Sequence, residues 1–106
     1  MQQEIDYVKL GLKIKEIRQS RGLTQDNLAE MVGCNISHIS NIENNHTKVS
    51  LNVLLSIANA LHTSIDYILS NQYSNPSSAL DNEILNSLKK CDYQTKEKIL
   101  KIIEIL

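Results

Sequence analysis

Four side chains with hydrogen-bonding tips share one side of a short segment: Ser37, Ser40, Asn41 and Asn44. At roughly 100° per residue they point away from the direction set by Ile39 and Ile42. The face they make contains no acid. An Asn amide can bond adenine through two hydrogen bonds, and a Ser hydroxyl can donate or accept, so this face has the chemistry to meet base edges. Asn35 and Ile36 stand at its leading end. Ile36 lies to one side of the apolar stripe and could meet a thymine methyl group. The plain alternative is a solvated helix face.

Other chemistries find little support. His38, His46 and His62 have no metal-like partner at helical spacing, and no Ser-His-Asp arrangement can be drawn. No glycine-rich phosphate loop is present. Cys34 and Cys91 lie in different segments without metal-ligand spacing, and Cys34 falls on a core position, where it reads as a small buried thiol. The expectation is therefore a protein that is not an enzyme and holds no metal or cofactor.

Two short helices must position the polar face. Leu28 and Val32 are four apart on the first; Ile39 and Ile42 are three apart on the second. Ala29 is small where the helices cross, and Gly33 sits where a tight turn needs positive φ. This is the spacing of a helix-turn-helix, whose second helix can enter the major groove of DNA. Thr24 caps the first helix, with Asn27 a weaker capping-box partner than Glu or Gln. The second helix is predicted over 35–44.

The flanking helices follow from the same rules. Leu10, Ile14 and Ile17 mark a helix over 7–21 that Gly22 ends as a left-handed cap. Ser50 caps a fourth helix with two apolar stripes, one of Leu51, Leu54, Leu55, Ala58 and Leu61, one of Val53 and Ile57. Such a helix belongs in the middle of a bundle. Ser64 caps a short fifth helix carrying Ile65, Ile68 and Leu69. With no Phe and no Trp, the core must be aliphatic.

The segment 70–78 is rich in Ser and Asn, holds the single proline, Pro76, and reads as a linker. Ser78 and Asp81 have the spacing of a capping box for a sixth helix with Leu80, Ile84, Leu88 and Cys91 on one side. Asp92 caps a seventh, in which Ile99, Ile102, Ile103 and Leu106 recur. Neither helix alone can bury its stripe.

The net charge of −1 conceals a segregation: residues 9–50 hold six basic against four acidic side chains, a local +2. That is a modest field for a nucleic-acid partner, and fits reliance on dimerisation. The apolar-rich stretch 51–61 is too short to span a bilayer, so no membrane role is expected and a reducing cytoplasm is the default compartment.

The run Ile14-x-x-Ile17-Arg18, Gly22-Leu23-Thr24-Gln25, Leu28-Ala29, Gly33, Ile39-Ser40-x-Ile42-Glu43 and Ile65-Asp66-Tyr67-Ile68-Leu69 resembles the phage repressor/Cro-type (XRE) helix-turn-helix family over roughly residues 9–69. The resemblance implies a buried ion pair between Arg18 and Glu43. It implies phosphate contacts from the loop after the second helix of the motif and from the start of the first, where Lys48 and Gln25 stand. Relatives usually carry Gly at the place of Asn45, which tolerates left-handed backbone, and often Pro at the place of Val49.

The expected architecture is all-α: a five-helix DNA-binding domain over 7–70, a linker over 71–79 and a helical dimerisation segment over 80–106. The expected function is a sequence-specific transcriptional regulator, a repressor that binds a palindromic operator in double-stranded DNA as a homodimer. The alternative is a protein-interaction module, such as an antitoxin or the partner of a protein antagonist. The acid-free face of 37–44 favours the first reading, because a protein-binding helix should expose an apolar patch.

Overall fold

A computed structural model describes residues 3–106 of the chain and contains, among them, seven α-helices and one 3₁₀ turn, with no strand. The first helix, α1, is Tyr7–Ser20. Asp6 caps it by accepting a hydrogen bond from the Lys9 N–H at 3.1 Å. Arg21 closes it, and Gly22 follows in the left-handed region at φ +72°.

Helix α2, Gln25–Val32, starts at Thr24. The Thr24 hydroxyl accepts from Asn27 N–H and the Asn27 amide oxygen accepts from Thr24 N–H, both at 3.0 Å. The box is thus complete. Spacing ranks Asn27 as a weak partner, but its short amide reaches the cap without difficulty. Gly33, at φ +84°, turns the chain into α3, Ile36–Glu43. Asn35 is the cap of α3 and not its first residue, because its side-chain oxygen accepts from His38 N–H at 2.9 Å.

Helix α4, Leu51–Ala60, is capped by Ser50, and α5, Ile65–Ile68, by Ser64. His62, between them, adopts φ +54°, as Asn45 does at φ +61° in the loop after α3. Side chains from all five helices meet in one aliphatic core, where Ile14, Leu28, Ile39, Ile57 and Leu61 are fully buried. Each such burial is worth roughly 1.5–3 kcal/mol. α4 departs from expectation. Leu54, Ile57, Ala58 and Leu61 are buried, but Leu51 and Leu55 remain in solvent. The helix has one covered face and lies at the edge of the bundle.

Gly11 explains how closely α1 and α3 cross. A Cβ there would lie 2.5 Å from the Ile42 carbonyl oxygen and 2.8 Å from that of Glu43. Only a residue without a side chain lets the two backbones approach this far.

The segment after α5 does not behave as a free linker. Ser70–Gln72 forms a 3₁₀ turn against α1 and α5. Gln72 accepts from Asp6 N–H at 2.8 Å and donates to Asp6 C=O at 2.9 Å, while the Tyr73 hydroxyl bonds Asp66. Composition hides these tertiary hydrogen bonds, which hold a polar segment in place. Helix α6, Ser77–Lys89, begins directly after Pro76. The capping box from Ser78 to Asp81 does not form, since both residues already lie inside the helix; the Asn75 side chain accepts from Ser77 N–H instead, at 3.2 Å. α6 packs on α5 and the 3₁₀ turn and buries Ala79 there. Helix α7, Tyr93–Ile105, is capped by Asp92, which accepts from Thr95 N–H at 2.8 Å.

Candidate nucleic-acid interface

The polar face of α3 is presented by a rigid support. Arg18 on α1 meets Glu43 at the end of α3 through two hydrogen bonds, Nε to Oε2 at 2.7 Å and Nη2 to Oε1 at 3.0 Å. The side chains are 8% and 0% exposed. Arg18 Nη1 also donates to the Leu23 carbonyl at 2.7 Å, so the guanidinium joins α1, the turn before α2 and α3. A buried pair needs such additional partners to offset the loss of water around both charges.

Gln25 completes this cluster. Its Nε2 donates to Glu43 Oε1 at 3.0 Å, and the side chain is half-buried. Resemblance assigns Gln25 to phosphate contact; the structure ties its amide to the ion pair and leaves the second amide hydrogen for another acceptor.

The outward face of α3 divides into two kinds of side chain. Ser37 and Asn41 are exposed and take no side-chain hydrogen bond among the described residues. Ser40 is half-buried and accepts from Asn44 Nδ2 at 3.2 Å, so these two act together. Ile36 is exposed at the leading end, beside the cap Asn35. The Asn41 carbonyl accepts from His46 N–H at 2.7 Å and Thr47 N–H at 3.3 Å, which folds the following loop back onto α3.

Lys48 is exposed on that loop, with its Nζ 5.4 Å from the centre of the Tyr7 ring. An exposed contact of this kind is worth about 0.5–1 kcal/mol and is easily exchanged for a phosphate. Glu4 and Asp6 line the same cleft as Lys48, so two carboxylates there outweigh its single positive charge. Among the described residues no cluster of three His, Cys, Asp or Glu side chains could hold a metal ion, and no helix is long and apolar enough to cross a membrane. Sequence reasoning missed Gly11; a glycine inside an amphipathic helix, away from any turn, is the signal that could have found it.

Residues 14–68, the helices from the middle of α1 to the end of α5, match the helix-turn-helix family model HTH_3. The chain belongs to this family, in its phage repressor or XRE type. It is 34% identical over 62 residues to the HTH-type transcriptional regulator ImmR of Bacillus subtilis, across 58% of this chain and 49% of that protein. It is 32% identical over 63 residues to the control protein C.SmaI of Serratia marcescens, across 59% of this chain and 75% of that one. Of the first two curated relatives it matches, the chain spans 10% and 49% of the length. Among solved structures, the P22 c2 repressor in complex with a synthetic operator superposes with a TM-score of 0.53 at 32% identity, covering 56% of this chain and 89% of that one. α6 and α7 lie outside the family match.

Proposed function

We propose that the protein is a sequence-specific DNA-binding transcriptional regulator, a repressor that occupies a palindromic operator as a homodimer in the cytoplasm. α3 enters the major groove. Ser37, Asn41 and the Ser40–Asn44 pair meet base edges, Asn35 and Ile36 meet the leading end of the half-site, and Lys48 with Gln25 grips phosphates. The carrying observation is the free, acid-free face of Ser37 and Asn41 on a helix locked to its neighbours through Glu43. The regulator names of ImmR and C.SmaI, and the operator bound to the P22 c2 repressor, support the reading. A dimer is needed because one short helix reads few base pairs and the local charge of +2 over residues 9–50 adds little phosphate attraction. No observation favours a toxin or protein antagonist at this face.

Selection from random duplexes tests the proposal. An enriched palindrome with half-sites about one helical turn apart is expected. Asn41→Ala should relax preference at one base pair per half-site and lose about 1–3 kcal/mol. If wild-type protein enriches no sequence, the proposal fails.

A further inference from the structure

Two basic side chains meet α6 from the head, helices α1–α5, and only one of them is compensated. Arg21 Nη2 lies 3.6 Å from Glu83, which also accepts from the Thr63 hydroxyl at 3.0 Å. Lys13 is half-buried and has no ion pair among the described residues; its Nζ lies 4.4 Å from the centre of the Tyr67 ring. The ring face attracts the charge but offers its N–H donors no lone pair. Lys13 opens onto a cleft of about 400 Å³ between α1, the 3₁₀ turn and the start of α6. Ser70 lines the same cleft and is 3% exposed, and its hydroxyl takes no hydrogen bond among the described residues. No fully enclosed side-chain polar atom among those residues lacks a partner, so the Ser70 oxygen opens into the cleft. Pro76 and Ser77, where α6 begins, form another part of the rim. Pro76 has no capping side chain, and the N–H groups of Ser78 and Ala79 find no protein acceptor among the described residues. Leu80 and the Tyr67 ring add an apolar wall, and no acidic side chain lines the cleft.

We propose that this cleft binds the phosphate of a small phosphorylated organic molecule. Lys13, the Ser70 hydroxyl and the first N–H groups of α6 are three separate sources of donors, which suit the three terminal oxygens of a phosphomonoester. The partial positive charge at the start of a 13-residue helix adds to that of Lys13. A half-buried cation without a counter-charge and a buried hydroxyl without a partner both gain from an anion, because each has already lost much of its water. The volume is that of about thirteen waters at roughly 30 Å³ each, more than a bare phosphate fills. The organic part rests on Leu80 and Tyr67. Ser70, Pro76 and Ser77 stand beyond residues 14–68, so the site belongs to the junction with α6 and not to the stretch that matches the family. The ligand touches α1 and the start of α6 together, so its binding fixes α6 on the head. Its physical ground needs no DNA.

Titration of the full chain with phenyl phosphate, followed by nuclear magnetic resonance, tests it. The buffer is free of phosphate and above about pH 7, where a phosphomonoester is a dianion. Saturable shifts of the Ser70, Ser78 and Ala79 amide signals are expected, with a dissociation constant of about 1 mM or tighter. Lys13→Gln should weaken binding at least about tenfold and Ser70→Ala about threefold. Lys15→Gln, which removes an exposed charge of the same helix, should leave it unchanged. Far-UV circular dichroism verifies the fold of each variant. Ser70→Ala loses only an unpaired hydroxyl, so it carries the test if Lys13→Gln does not fold. No saturable shift in the wild-type protein, binding that survives both cleft variants, or equal weakening by Lys15→Gln overturns the site. Inorganic phosphate that binds as tightly as phenyl phosphate overturns the organic ligand, and phenylacetate that binds as tightly overturns the phosphate. A DNA duplex that shifts the same three signals overturns the small-molecule source.

Discussion

Gln25 and Arg18 share one acceptor: Glu43 Oε1 takes a hydrogen bond from Gln25 Nε2 and from Arg18 Nη2, each at 3.0 Å. The first residue of α2 and the last turn of α1 are thereby bound to the last residue of α3. A half-buried amide and a buried guanidinium are in contact through one carboxylate.

Removing that carboxylate should be costly. Glu43→Ala leaves Arg18 buried without its counter-charge, and a loss of about 3–5 kcal/mol is expected in urea melts. Glu43→Gln keeps the shape and one acceptor oxygen, so it should cost less. A neutral result for Glu43→Ala would mean that water reaches the guanidinium.

Gly11→Ala should destabilise by about 1–3 kcal/mol, in contrast to an ordinary helix interior, where Ala is the better residue. The added methyl would press on the backbone oxygens of Ile42 and Glu43, which cannot rotate away. Thermal melts read the sign directly. Stabilisation would show that α1 and α3 stand further apart.

Lys48→Ala should weaken binding about equally for all duplexes. With its Nζ resting over Tyr7 and in no ion pair among the described residues, its charge is available to a phosphate. The slope of log affinity against log salt should become less steep by about 0.9 per contacting subunit. An unchanged slope takes Lys48 out of the phosphate set.

Asp92 gives the tail a pH dependence. Hydrogen bonds from Thr95, through its side chain first and its backbone second, hold the Asp92 carboxyl below its usual range. A depressed carboxyl stabilises α7 above the unfolded-state value of about 4 and loses that contribution as pH falls through its lower folded value. The Thr95 amide should therefore lose protection from exchange on acidification below about pH 4. Asp92→Asn keeps a capping oxygen and should remove the acid step. Persistence of the step in Asp92→Asn would assign it to another group.

Much of the head, helices α1–α5, and of the tail, α6 and α7, was legible because the signals are local. Thr24, Ser50, Ser64 and Asp92 cap helices by hydrogen bonds that span three residues, and Gly22 and Gly33 adopt the positive φ their places require. What escaped is tertiary. Gly11 matters through the backbone of α3, thirty residues on, and Gln72 through Asp6 at the other end of the head. Leu51 and Leu55 fit a stripe by spacing, yet the bundle supplies no neighbour to cover them. At the interface, the family resemblance suggested Gln25 for phosphate contact, but only the folded chain reveals that its amide already serves Glu43.

The paired hydrogen bonds between Gln72 and Asp6 make the head a cassette that seals its own ends. A cassette of this kind can be carried by chains of very different length, and relatives in which the matched stretch fills 10%, 49% or 75% of the protein are consistent with that use. Exchange of the tail is then a small step in sequence. What a new tail must supply to this head is a methyl side chain in the place of Ala79 and a carboxylate in the place of Glu83.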